Sequence, residues 1–440
     1  MERVTDLPAQ SAGTPARRSV FPFALIVALF FLWGMANNLN DILIAQFKKA
    51  FTLSDFRAGL VQSAFYLGYF LLAIPAGMFT RRFGYKGAVV VGLLLYACGA
   101  FLFWPAAELR TYGMFLVALF VLASGLAFLE TSANPFATVL GPPETAAQRL
   151  NLAQAFNPLG SITGVVIGQQ FIFSGMEHTP GEIAAMSAAE RSAYLASEST
   201  AVQLPYLIIG LVVLGWASLI LVSRFPNTDA HANDADHGNL LQLRSLRHNG
   251  RFVLAVVAQF FYVGAQVGIW SYLIRYVQAT LPGTPQKQAA NFLTASLIAF
   301  MVGRFAGTAL MRRVAPTRLL AWFAAINVFL CGIALVSSGH MGTYALVASS
   351  FFMSIMFPTI FAAGVDGLGD SERKLGAALL VMAIIGGAIL TAAMGAISDA
   401  GDIHLAMSVP LVCFAVVLIF ARRSRRESHI HLQIGGASPH

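Results

Sequence analysis

Charge is what this sequence has least of. Asp, Glu, Lys and Arg together make up 11% of its 440 residues, while 57% are hydrophobic; soluble domains carry roughly a quarter charged residues. That shortage excludes an ordinary soluble protein and points to an integral membrane protein. Cysteine is scarcer still: Cys98, Cys331 and Cys413 are the only three, each inside an apolar run, so no disulfide, metal site or redox role is expected and all three read as packing residues. No long hydrophilic domain interrupts the apolar runs. Residues 1–20 carry Arg3, Arg17 and Arg18 but no separate apolar core with a small-residue cleavage site, so they read as a retained, loose tail. No catalytic constellation is visible: there is no metal-spaced His/Cys cluster, no phosphate-cradling Gly loop with Lys, and no nucleophile motif. His231, His237, His248, His429 and His431 fall in polar stretches where solvated histidines are the default. An enzyme, a bound cofactor and an ATP-driven pump are therefore not expected. The formal charge of +8 could suggest nucleic acid, but Lys and Arg collect in the cytoplasmic loops of multi-pass membrane proteins, which suffices to explain it.

What is present is a succession of apolar runs. Taking about 20 residues per span gives twelve, near 22–47, 57–80, 85–105, 111–136, 150–174, 203–224, 251–279, 289–312, 318–338, 343–365, 375–398 and 404–422. The 39 Gly and 35 Phe residues suit lipid-facing helices whose backbones approach closely. Most positive residues fall at even-numbered junctions or near the termini, among them Arg81, Arg82, Lys86, Arg312, Arg313, Arg373, Lys374 and Arg422. Both termini are then cytoplasmic; Lys48, Lys49 and Arg57 dissent, and the 175–202 loop is acidic. The polar segment 225–250 reads as a cytoplasmic linker between a first bundle at 22–224 and a second at 251–422, with tails at 1–21 and 423–440. Ala76-Gly77 with Arg81-Arg82 after the second span is echoed by Ala306-Gly307 with Arg312-Arg313 after the eighth. Two pseudo-symmetric six-helix halves related as a parallel repeat are the plan of an all-α major facilitator fold, with a substrate site at mid-membrane between them.

Few polar residues interrupt the spans, and each needs a reason. Asn37, Asn38, Asn40 and Asp41 sit between apolar flanks in the first span; an Asp at the centre of a spanning helix costs about 3 kcal/mol, so such acids usually line a cavity or an ion path. The alternative is an Asp41 wetted at the helix end. Glu130, in Leu129-Glu130-Thr131-Ser132-Ala133-Asn134-Pro135, is the second acid. Burial favours the protonated form of a carboxyl, which makes it a candidate proton carrier, and Asn134 one turn on could share a hydrogen bond with it. A permanently hydrogen-bonded structural Glu is the rival. Gln154, Asn157 and Ser161 stand at i, i+3 and i+7 on one face of the fifth span, followed by Gly164 and Gly168. Amides both donate and accept, as a neutral polyhydroxyl ligand requires, though polar contacts between helices would use the same residues. Gln259, Tyr262, Gln266 and Trp270 repeat the pattern on the seventh span; aromatic rings beside amides suit the C–H face and hydroxyl rim of a sugar. The second half has no comparable mid-span acid, and Arg304 in the eighth span is expected to meet a carbonyl or snorkel rather than bind an anion.

Together these residues resemble the fucose/glucose/galactose-permease family of the major facilitator superfamily. The likeness covers nearly the whole chain. It rests on Phe31-Leu32-Trp33 with Asn37-Asn38-Leu39-Asn40-Asp41, on Gln62-Ser63-Ala64-Phe65-Tyr66, on Leu129-Glu130-Thr131 with Ala133-Asn134-Pro135-Phe136, on Asn151-Leu152-Ala153-Gln154 with Phe156-Asn157, and on Trp270-Ser271-Tyr272-Leu273-Ile274-Arg275-Tyr276. The resemblance implies a proton-coupled monosaccharide importer of the bacterial inner membrane, working by alternating access as a monomer. Asp41 and Glu130 would be the coupling acids; Asn38, Gln154 and Asn157 would bind sugar hydroxyls, with Tyr262, Gln266, Trp270 and Phe357 completing the pocket. L-fucose is the favoured substrate, with glucose, galactose or N-acetylglucosamine, sodium coupling, and a non-transporting sugar receptor as alternatives. A drug/proton antiporter of the same fold is disfavoured because Gly164 is followed by Val165, not Pro. Two departures stand out. Arg81 occupies the place of the usual acid in the loop after the second span. The tenth span reads Met356-Phe357-Pro358 where the fucose-transporting pattern has Gln-Tyr before the Pro.

Overall fold

A computed structural model describes residues 21–35, 55–167, 182, 185–225, 239–284, 286–337, 339–400 and 402–435. Among these, nine helices are long and apolar enough to cross a membrane. The first of the nine holds two spans, because Asp55–Glu108 breaks at Gly84, where φ is 76° and ψ 171°. A side chain strains that conformation and glycine does not, so 55–83 and 85–108 are spans 2 and 3. Span 1 is described over Phe21–Met35, a shorter apolar helix. Span 4 is Tyr112–Val139, span 5 is Ala146–Gln154 with Asn157–Ile167, and span 6 is Gln203–Val222. The second half follows as span 7 (Gly250–Thr280), span 8 (Gln286–Leu310), span 9 (Pro316–Val336), span 10 (His340–Met353 with Met356–Val365), span 11 (Asp370–Met382 with Gly386–Ala400) and span 12 (Ser408–Gly435). The twelve spans appear in the expected order, and no strand occurs among the described residues.

The breaks in spans 5 and 10 share a cause. Proline has no N–H and leaves the carbonyl four residues before it without a helical partner. Pro158 does this to Gln154, and Pro358 does it to Ser354. Each helix ends at or next to the freed carbonyl and restarts two or three residues later.

Spans 1 and 5 meet on glycine. A Cβ at Gly160 would lie 1.9 Å from the Phe31 carbonyl oxygen, and one at Gly34 2.0 Å from that of Asn157, so the two backbones touch only because neither residue has a side chain. Among the described residues the halves meet mainly at the end that carries Gly84. There span 11 packs on spans 2 and 4, the Met356–Val365 part of span 10 on Ala146–Gln154, and span 8 on span 5.

The linker, the acidic loop and the C-terminal tail contain helix that the sequence reading does not specify, and one expectation, that all three cysteines pack, needs correction. Part of the 225–250 linker is a helix, Asn239–His248, docked by a buried Leu246 and by the Ser245 hydroxyl, which donates to Glu372 at 2.7 Å. The acidic 175–202 loop contains the helix Ala188–Thr200, started by a Ser187/Glu190 capping box; the Ser187 hydroxyl and then its backbone N–H hold the Glu190 carboxyl below its ordinary range. Span 12 stays helical to Gly435, past the expected tail boundary at 422. Cys331 and Cys413 are buried, but Cys98 is exposed on span 3 and packs no core.

Candidate functional site

Glu130 is 3% exposed on the most buried stretch of span 4. Its carboxyl lies within electrostatic reach of Tyr69 on span 2, which sits beside Trp33 of span 1. Asn134 does not bond that carboxyl, contrary to the sequence expectation: its amide donates to the backbone carbonyl of Glu130 at 2.9 Å. The reason is geometric, since a short amide one turn on reaches the helix's own carbonyl more readily than a side chain pointing away. The Asn134 oxygen is then free to accept from the Gln154 amide at 2.9 Å. The acid and the first amide of the span 5 stripe are thereby joined through one residue.

The rest of that stripe faces span 1. Asn157 donates to the Phe30 carbonyl at 3.2 Å, and the Ser161 hydroxyl to that of Gly34 at 3.3 Å. Both remain half-buried, so these contacts anchor them without enclosing them. Asn38 and Asp41 lie outside the described residues.

In the second half, the Tyr262 hydroxyl donates to the Met353 carbonyl at 3.0 Å, and its ring meets that of Phe357 edge-on at 6.4 Å. Phe357 and Gln266 are half-buried. The Trp270 indole N–H donates to the Ser350 hydroxyl at 3.1 Å, while its ring packs edge-on against Phe300 at 5.0 Å; Ser350 in turn bonds Ser296. Gln259 is fully buried, and neither atom of its amide has a partner among the described residues.

Arg304, expected to meet a carbonyl, meets two. Its Nε donates to the Ser354 carbonyl at 2.8 Å and its Nη1 to the Gln154 carbonyl at 3.0 Å and the Gln154 side-chain oxygen at 3.4 Å. The guanidinium also lies 4.6 Å from the centre of the Phe300 ring, a cation–π distance. Those backbone carbonyls are the ones released by Pro358 and Pro158. Each stands at a helix C-terminus, where the macrodipole favours a cation.

Two contacts between the halves were not legible in the sequence. The Asn151 amide donates to the Thr359 hydroxyl at 3.1 Å. Lys374, read as a loop charge, is 3% exposed: it pairs with Asp370 at 2.8 Å and lies 5.1 Å from the Tyr85 ring centre across the boundary. Nothing near position 374 announces that neighbour. Chemically, the arrangement offers a buried carboxyl able to exchange a proton, amides able to take hydroxyls, and aromatic faces able to take an apolar ring surface.

A helical bundle with a buried acid and polar stripes at mid-span is a membrane transporter, and the chain belongs to the Major Facilitator Superfamily, whose family model matches residues 23–392. It is 50% identical over 415 residues to the L-fucose-proton symporter of Escherichia coli (strain K12), covering 92% of this chain and 94% of that protein. It is also 37% identical over 420 residues to a glucose/galactose transporter of Brucella abortus biovar 1, covering 94% and 97%. The crystal structure of FucP, a transporter of this superfamily in the outward conformation, superposes with a TM-score of 0.87 at 49% identity, covering 93% of this chain and 99% of that one.

Proposed function

We propose that this protein is a proton-coupled L-fucose importer that works by alternating access in a bacterial inner membrane. The observation that carries the reading is the buried Glu130 carboxyl, joined through Asn134 to Gln154, in a chain half identical to an L-fucose-proton symporter along almost its whole length. Glu130 and Asp41 exchange the proton. Asn38, Gln154, Asn157 and Gln266 take sugar hydroxyls, while Trp270 and Phe357 supply the apolar face and Tyr262, fully buried, backs Phe357. Protonation neutralises buried charge, and sugar plus proton let the halves rock; a monomer suffices, and no cofactor takes part. With the Gly84 end cytoplasmic, as the positive residues imply, the seam closed in this conformation is the cytoplasmic one.

A second reading, glucose or galactose as substrate, is favoured by span 10, where Met356 and Phe357 offer neither an amide nor a hydroxyl. The test is sugar-induced proton movement in oriented vesicles across L-fucose, D-glucose, D-galactose and N-acetylglucosamine. A pH response to L-fucose is expected, and a response confined to another sugar moves the substrate. Glu130→Gln should retain sugar exchange and lose uphill accumulation; proton-driven accumulation by this variant would remove Glu130 from the coupling scheme.

A further inference from the structure

An arginine buried in the membrane region is costly unless its charge and its donors are satisfied. Arg304 is 4% exposed, and its three described hydrogen bonds run to oxygens that belong to different halves. Ser354 and Phe300 travel with Arg304 in the second half. Gln154 belongs to the first. Both backbone carbonyls exist as free acceptors only because Pro158 and Pro358 deny them a helical N–H, and both lie at helix ends that favour a cation.

We propose that Arg304 is a positioning residue of the transport cycle: it pins span 5 of one half to span 10 of the other in this conformation and releases span 5 when substrate engages Gln154. When the halves part at the Gly84 end, the bonds to Gln154 break, while those to Ser354 and the Phe300 ring are kept. The guanidinium therefore changes one set of partners and retains the other. The Gln154 amide is already divided, its nitrogen donating to Asn134 and its oxygen accepting the longer bond from Arg304. A sugar hydroxyl arriving at Gln154 competes first with that longer bond. The release step rests on the functional reading above; the pinning does not.

The test reports on the seam directly. Leu375 is 2% exposed and packs beside Gly77 across the boundary, so Leu375→Cys, on a Cys98→Ser background, reacts with a water-soluble maleimide only when the seam opens. Without sugar, Arg304→Lys, which keeps the charge but loses the planar fork, is expected to raise the labelling rate about tenfold, as the loss of a charge-assisted bond to one state would. Pro158→Ala, which restores an N–H to compete for the Gln154 carbonyl, is expected to move labelling the same way by less. Wild-type labelling in folded Arg304→Lys overturns the proposal. If that variant does not fold, wild-type labelling in Pro158→Ala does so. L-fucose is expected to speed labelling in the protein with native Arg304. L-fucose that binds without changing the rate overturns the release step. Failure of L-fucose to bind at all counts against the functional reading, and the sugar-free measurements still decide the latch.

Discussion

Alanine at Gly160 is the sharpest probe of how span 1 is held. Its added Cβ would start 1.9 Å from the Phe31 carbonyl oxygen, where ordinary contact begins at 3.4 Å; spans 1 and 5 must therefore separate by about 1.5 Å, an overpacking that typically costs about 1–3 kcal/mol. The separation also stretches the Asn157–Phe30 and Ser161–Gly34 hydrogen bonds, already 3.2 and 3.3 Å long, beyond useful length. Each adds about 0.5–1.5 kcal/mol. The expected loss is about 2–6 kcal/mol, a large share of a typical stability of about 5–15 kcal/mol. Gly215→Ala on span 6 is the control, because a Cβ there meets nothing within 4 Å. Thermal unfolding of the two variants in the same detergent gives the comparison. Span 1 also leads directly into Asn38 and Asp41, so L-fucose uptake per folded molecule should fall in Gly160→Ala and not in the control. Equal stabilities within about 0.5 kcal/mol, the usual scatter of an inconsequential substitution, would refute the close-packed seam.

Two further outcomes follow from groups described above. Gln259→Leu removes two buried amide atoms that have no partner among the described residues and should raise the unfolding temperature, since an unsatisfied buried group costs about 1–3 kcal/mol; a lower temperature would mean that the amide is held by a group or a water in solution. Trp270→Phe loses the 3.1 Å bond to Ser350 and should cost about 1 kcal/mol of stability while weakening sugar binding measured by calorimetry. Unchanged affinity would place Trp270 outside the pocket.

Much of this architecture is written locally. A span needs only a run of apolar residues, and the amide stripes need only helical spacing, so both are legible without knowing what lies opposite. What an amide faces is a different matter. Asn157 and Ser161 meet carbonyls 127 positions away, and no periodicity in span 5 distinguishes a cavity from the backbone of span 1. Lys374 reads as one more positive residue at a junction because the ring it covers, Tyr85, belongs to the other half. Helical spacing puts Asn134 on the face of Glu130, yet its amide bonds the Glu130 backbone rather than the carboxyl. The prolines could take the reading further: Pro158 and Pro358 each follow a residue whose carbonyl they strand, and Arg304, a buried arginine, needs such carbonyls.

The arginine that bridges the halves also bears on how the membrane potential acts. A full elementary charge crossing the bilayer gains about 2.3 kcal/mol per 100 mV. In the proposed cycle Arg304 moves only with the rocking of its own half and never crosses the core of about 30 Å, so it samples only a fraction of that field. Voltage then acts on the proposed cycle through the proton that crosses, while the latch, although charged, is set by its two carbonyls and stays nearly indifferent to the electrical state of the cell.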